Sequence, residues 1–289
     1  MMGRMVRHLF RMDLTQLILI AFLSLLAAFM LLPIIFIFMQ AFKPLSELFL
    51  YPPRFYVMNP TLDNFSQLLM SVDASVVPVV RYLFNSVFTS VVTVAVVVVV
   101  STMVAYALSK HFFVGKNAIL NMTIMALMFA PQAVIIPRYI IVQKLGIIDT
   151  YLAHILPLVA APVSVFLFKQ FVDQVPDDLL AAARIDGASE WHILFRIVYP
   201  ICRPALSTIA LLTFQAAWNT MEPSIYYIEN EAMRTLPFFL GTLTSGLANN
   251  VAGQGAAAAA GLLMFLPNLI FFFVMQNRVI QTMAYSGIK

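Results

Sequence analysis

The chain has 289 residues, of which 62% are hydrophobic and only 10% charged, and its mean hydropathy is +0.91. That balance is too apolar for a soluble fold of this length and places the chain in a bilayer. The net charge of +4 comes from basic residues scattered over several loops, which reads as a fringe facing anionic lipid and argues against a nucleic-acid patch.

Six stretches are long enough to cross a membrane at about 20 residues each. They run over about 14–42, 82–109, 118–138, 151–172, 201–222 and 256–277. No alternation of strand period competes with them, so the expected fold class is all-α: a polytopic membrane protein with six transmembrane helices in one domain, 1–289. The first span is too long, and too poor in a small-residue cleavage site, for a removed signal peptide, and is expected to stay as an anchor. Assigning the connecting segments to alternate sides divides the 17 Lys and Arg unequally. Arg4, Arg7, Arg11, Lys110, Lys116, Lys169, Arg184, Arg196, Arg203, Arg278 and Lys289 fall on one side. Lys43, Arg54, Arg81, Arg138, Lys144 and Arg234 fall on the other. The excess of positive charge predicts that both termini and the stretch 175–206 are cytoplasmic.

Two segments on the opposite side are large enough to meet a partner. The first, from Phe42 to Arg81, holds Pro52, Pro53, Pro60 and Asn64, and predicts a short helix from Asp63 to Met70. The second, from Pro223 to Gly255, reads as a loop, with Glu229, Glu231, Arg234 and the glycines Gly246, Gly253 and Gly255; Glu222 stands at its entry. Ala256 to Ala260, beside Gly261, suit close helix packing at the start of the last span.

Several chemistries find no support. The apolar centres of the spans carry no ionisable side chain of the kind ion- and proton-coupled transporters use. The Gly115-Lys116 pair is followed by Asn117 and lacks the spacing of a Walker A loop, so ATP hydrolysis by that device is not expected in this chain. Neither H-E-x-x-H nor G-x-S-x-G occurs. Cys202 is the single cysteine, which rules out an intrachain disulfide, suggests no metal cluster and reads as a small buried hydrophobe.

The longest polar island between spans is VPDDLLAAARIDGASEWHILFRIVYPICRPAL, from Val175 to Leu206. Pro176 suits the first turn of a helix, and Asp177 and Asp178 place negative charge at its positive dipole end. Gly187 offers positive φ past the last turn, and Ser189 is placed to cap a second helix through Trp191, Ile193, Leu194 and Ile197. Pro200 and Pro204 mark the bend into the next span, leaving Arg196 and Arg203 at the water boundary. This pattern predicts a helix pair lying along the membrane.

Ala182-Ala183, Arg184-Ile185-Asp186-Gly187-Ala188, Ile197 and Pro200 resemble the EAA loop of ABC-importer permeases. Further words follow in the order used by maltose-type sugar permeases, over nearly the whole chain. They are Thr61-Leu62-Asp63-Asn64-Phe65, Asn85-Ser86, Ala105-Tyr106-Ala107-Leu108, Leu145-Gly146 with Thr150-Tyr151, and Thr235-Leu236-Pro237. The resemblance implies a permease subunit in a bacterial cytoplasmic membrane that pairs with a second permease and docks on ABC ATPase subunits. It also implies an extracytoplasmic solute-binding protein that delivers a sugar or oligosaccharide. No cofactor is expected on this chain, since ATP and magnesium would sit on the ATPase. Ala182, Ala183, Arg184, Asp186, Gly187, Ala188 and Ser189 would form the coupling loop, at 175–200. One residue departs from the pattern: the glutamate that names the loop would fall at Ala181, and Glu190, beyond the turn, is not expected to replace it. The sister permease would then supply that carboxylate. A permease for another solute class and a membrane scaffold without a path remain the alternatives.

Gln215 and Asn219 lie four apart on the fifth span and share a face, with Trp218 adjacent and Tyr226 and Tyr227 further on. Amides pair with hydroxyls and aromatic rings stack on sugar faces, which makes these five the candidates for lining a path. Amides that tie helices together and interfacial aromatics are the competing reading.

Overall fold

The longest apolar runs become the longest helices in the computed structural model, which describes residues 13–70, 77–247 and 253–286. Arg4, Arg7, Arg11 and Lys289 lie outside those residues, as does the side chain of Arg278. Among the described residues there is no strand. Among the described residues three helices are long and apolar enough to cross a membrane unaided: α1 (Leu14–Ala41), the 32-residue helix α3 (Val79–Lys110), and α13 (Gln254–Ser286) over its residues Gln254–Gln276.

Three other predicted spans are bent pairs. The stretch expected as one crossing over 118–138 is instead α4 (Lys116–Ala126) and a second piece, Pro131–Lys144, which contains α5 (Ile135–Lys144); the two meet at 114°. Pro131 accounts for the break, because proline drives the preceding residue out of the helical region, and Ala130 has an extended ψ of 135°. The fourth span is α6 (Tyr151–Val159) followed by α7 (Pro162–Asp173), bent by 45° where Ala160 and Ala161 leave helical geometry ahead of Pro162. The fifth pairs Glu190–Ile201 with Arg203–Tyr226 at a bend of 85°, and its second arm holds α10 (Arg203–Asn219) and α11 (Glu222–Tyr226).

Two compact units divide the chain: residues 1–71 with 243–263, and residues 72–242 with 264–289. In the first, α2 (Asp63–Met70) forms as predicted, and Thr61 caps it by accepting from the Asp63 N–H at 3.1 Å. Asn64, the buried residue of that turn, donates to the carbonyls of Ala41 at 2.9 Å and Lys43 at 2.8 Å, satisfying groups that the end of α1 leaves open. Glu47 is buried nearby and accepts from the backbone N–H groups of Met58 and Asn59. The bond from Met58 is the main cause that holds its carboxyl below the usual range. Ala256, Ala259 and Ala260 are buried, as expected of a small-residue helix start, whereas a Cβ on Gly261 would stand 3.9 Å from Ile37, an ordinary contact that does not require glycine there.

Gly255 is tighter still. A Cβ there would fall 2.3 Å from Asn64 Oδ1. Gly255→Ala is therefore expected to push Asn64 off the two carbonyls and to cost about 2 kcal/mol, one lost bond at a time, readable as a lower thermal midpoint in detergent. An unchanged midpoint would mean that Asn64 does not hold this turn.

Of the segment expected as a loop over 223–255, residues 248–252 lie outside the described residues, and residues 223–247 are largely helical. The described part comprises α11, a 3-10 turn at Glu231–Met233 and the 12-residue helix α12 (Leu236–Leu247). Its connecting stretch is held by side chains from α3 and α6. Asn85 Nδ2 donates to the carbonyls of Ala232 and Arg234, each at 2.8 Å, and Asn85 Oδ1 accepts from Tyr151 Oη at 2.8 Å. Ser86 Oγ accepts from the Leu236 N–H at 2.7 Å, and a His154 ring nitrogen bonds the Met233 carbonyl at 3.1 Å. Sequence patterning misread this segment because its strand of polar groups is satisfied by partners about 150 residues away, which no local period reports.

Candidate functional site

The polar island folds as the residues dictate. Pro176 is the N-cap of α8 (Asp177–Ile185), and Asp177 and Asp178 occupy its first turn. The helix ends at Gly187, which has φ +82°, a left-handed conformation that a side chain disfavours. Ser189 then caps α9 (Glu190–Ile201) by accepting from the His192 N–H at 3.3 Å. Within α9 the stretch Ile193–Val198 is π-helical. Pro200, which has no N–H and crowds the carbonyl of Arg196, lies two residues beyond it, and the wider turn accommodates it. The chain then turns by 85° at Cys202 into α10. Cys202 is 1% exposed and packs in the core.

One face of this helix pair is buried and the other is bare. Leu180, Ile193, Leu194 and Val198 join Val97, Ala105 and Tyr106 of α3 and Phe168 and Val172 of α7 in one apolar cluster. Leu179, Ala181, Ala182, Ile185 and Trp191 are exposed, with Ile185 at 87%. Ala183, Asp186, Gly187, Ala188, Ser189, His192 and Ile197 line an open cleft of about 550 Å³ at the corner. Exposed apolar groups around a concave corner form a surface that a partner protein could cover.

Polar contacts fix the pair at both ends. Lys110 Nζ donates to the Val175 carbonyl and to Asp177 Oδ1, both at 2.7 Å, and its bond holds the Asp177 carboxyl below its ordinary range. Lys169 pairs with Asp173 at 2.7 Å. Across the corner, Arg184 Nε donates to Glu190 Oε1 at 2.7 Å, while Tyr106 Oη donates to Glu190 Oε2 at 2.7 Å and a His111 nitrogen lies 3.4 Å from the same oxygen. The Arg184 bond is the main cause that lowers the Glu190 carboxyl, and in return it raises Arg184. Glu190 thus reaches back over the turn onto the first helix, which its position in the sequence did not announce. Thr102 Oγ1 and Tyr199 Oη lie 2.7 Å apart and tie α9 to α3 as well.

The five candidates for a path separate. Gln215, Asn219 and Tyr226 are exposed. Trp218 is 2% exposed, stacks on Phe214 and donates from Nε1 to the Met264 carbonyl at 3.1 Å. Tyr227 is fully buried and donates to Glu222 Oε1 at 3.0 Å, beside the Arg138–Glu222 ion pair at 2.8 Å. Trp218 and Tyr227 therefore stand in the core, and the structure does not bring them together with the three exposed residues. Asn219 Nδ2 donates to the Gln215 carbonyl at 2.8 Å, and Asn268 Nδ2 donates to Asn219 Oδ1 at 3.0 Å. Asn268 was not singled out in the sequence, since a lone Asn beside Pro267 carries no periodic signal.

Comparison with known proteins places this geometry. The family model described as binding-protein-dependent transport system inner membrane component matches residues 1–283. The arabinooligosaccharides transport system permease protein AraQ of Halalkalibacterium halodurans is 31% identical over 272 residues, covering 93% of this chain and 94% of that protein. The trehalose transport system permease protein SugB of Mycobacterium tuberculosis is 26% identical over 268 residues, covering 92% of this chain and 95% of that protein. Among solved structures, a bacterial ABC transporter involved in the import of the acidic polysaccharide alginate aligns with a TM-score of 0.77 at 20% identity, over 91% of this chain and 95% of that one. That likeness establishes the fold.

Proposed function

The chain belongs to the binding-protein-dependent transport system inner membrane component family, and from that premise we propose that it is one of two permease subunits of a bacterial ATP-driven importer for a sugar or oligosaccharide. The observation that carries the reading is the corner at Gly187, a rigid helix pair with its apolar inner face buried and Ile185, Ala181 and Ala182 left bare. Such a surface fits a groove on an ATPase subunit. Its fastening to α3 and α7 lets a push on the corner move the spans as a body. The permease relatives named for arabinooligosaccharide and trehalose transport support a carbohydrate cargo.

In this reading both termini and the helix pair face the cytoplasm, as the cation asymmetry predicts. ATP and magnesium belong to the ATPase subunits, and a solute-binding protein on the far side delivers the cargo. Closure of the ATPases carries the two permeases from inward-facing to outward-facing, and hydrolysis permits the return. Uptake by the complete complex in proteoliposomes is therefore expected to require ATP and to persist when proton and sodium gradients are collapsed. Uptake that vanished with an uncoupler at constant ATP would reject the mechanism. A glycan-panel binding screen of the solute-binding protein identifies the sugar.

Gln215 and Asn219 supply the test of the path. Both are exposed on one face of α10, and replacing both by leucine is expected to lower uptake more than tenfold while complex yield and basal ATP hydrolysis stay near normal. If the two amides only join helices, the loss is about 1 kcal/mol per bond and uptake survives. Uptake and yield measured on the same double variant decide between these outcomes.

A further inference from the structure

The bare half of α8 is held to the rest of the molecule by few groups. Leu180 is buried, but Ala181, Ala182, Ile185, Asp186 and Gly187 are all exposed. Beyond partial packing of Ala183 and Ala188, this tip is oriented by the contact of Arg184 with Glu190 at 2.7 Å, with Tyr106 beside the same guanidinium. The same carboxylate accepts from Tyr106 Oη at 2.7 Å, near the cytoplasmic end of α3, and stands 3.4 Å from His111 just beyond it. Tyr106 is 4% exposed and belongs to the apolar cluster, so its hydroxyl is presented from a fixed body. Glu190 therefore bonds both the exposed tip of α8 and a membrane helix.

We infer that Glu190 is a positioning residue for coupling: through Arg184 on one side and Tyr106 on the other, it locks the docking tip of α8 to α3, so that displacement of the tip is passed to the membrane spans. This rests on the proposed docking of the corner on an ATPase. The chain has alanine at 181, where a carboxylate on α8 would have faced outward. Here the acid sits one turn past the corner and faces inward onto Arg184. Its work is done within the chain, by holding the shape of the surface, and not by contact across the interface. The pair is half-exposed, with side-chain exposures of 42% and 44%, so its loss loosens the tip without unfolding the helix pair, whose burial rests on Leu180, Ile193 and Leu194.

The test uses the whole complex in proteoliposomes, with uptake and ATP hydrolysis measured together. In Glu190→Ala, complex yield and basal hydrolysis are expected within twofold of the parent, and solute imported per ATP is expected to fall at least fivefold. Tyr106→Phe removes one hydroxyl and should lower the same ratio by a smaller factor. Hydrogen exchange of the backbone amides from 182 to 187 should quicken in both variants while exchange in α10 keeps the parent's rate, a split that a general loss of stability would not give. An unaltered import ratio and exchange rate in Glu190→Ala would overturn the inference. If Glu190→Ala does not assemble, Tyr106→Phe decides it by the same two readouts. A parent complex that fails to import with ATP would instead reject the proposed function, so the two failures are distinguishable.

Discussion

Replacing Gly187 by valine is expected to strip the ATPase from the purified complex and to abolish uptake. Gly187 has φ +82°, where a residue with a Cβ costs about 1–2 kcal/mol and a β-branched one more. No atom lies within 4 Å of the place a Cβ would take, so the penalty is backbone strain and not a clash. The chain relieves that strain by opening the corner, which turns α8 away from α9 and spoils the face carrying Ile185. Each 1.4 kcal/mol withdrawn from docking lowers affinity about tenfold, so ATPase occupancy should fall by up to that factor once the complex is diluted below the weakened dissociation constant. Gly187→Asn is the control, because asparagine enters the left-handed region more easily and should retain most of the occupancy. Full occupancy in the valine variant, by quantitative gel densitometry, would remove the corner from the interface.

Asn85→Leu is expected to be the most damaging change far from that corner. Asn85 is fully buried, and its amide satisfies the carbonyls of Ala232 and Arg234 and the Tyr151 hydroxyl. Leucine removes these three bonds and strands the Arg234 carbonyl, while Arg81 still donates to the Ala232 carbonyl and the Tyr151 hydroxyl at 3.1 Å each; at about 1 kcal/mol per lost bond in a membrane setting the cost is about 3 kcal/mol in all. That is a large part of the net stability of a typical domain. The stretch between α11 and α12 should come loose, with faster trypsin cleavage at Arg234 and a thermal midpoint lowered by several degrees. Wild-type cleavage and midpoint would show that Ser86, His154 and Arg81 hold the stretch without Asn85.

These two sites differ in how far they could be read beforehand. The corner was legible because its determinants are local. A proline before two aspartates, a glycine at the turn and a serine opening the next helix each act within one helical turn, and the structure places Pro176, Gly187 and Ser189 in those roles. The amide of Asn85 was noticed only as part of a resembling word, because its partners at 232 and 234 are remote in sequence. Gln215 and Asn219 share the face that their spacing implies, whereas Trp218 and Tyr227 proved to be core residues. Adjacent positions on a helix point about 100° apart, and nothing in a spacing tells which of two neighbouring faces another helix will cover.

The amino-acid sequence by itself determined the apolar spans, the short helix at Asp63–Met70 and the helix pair hinged on Gly187, since each depends on hydropathy summed over a window or on backbone preferences of a few neighbours. Only the tertiary structure decided that the third span folds back by 114° and that the stretch before α12 is clasped by Asn85 and Ser86. The same holds for Glu190, which turns inward to join Arg184 and Tyr106. The physical reason is common to all three. A proline marks where a helix can break but not the angle it takes, and a polar side chain in an apolar setting must find a partner whose identity depends on how distant helices pack.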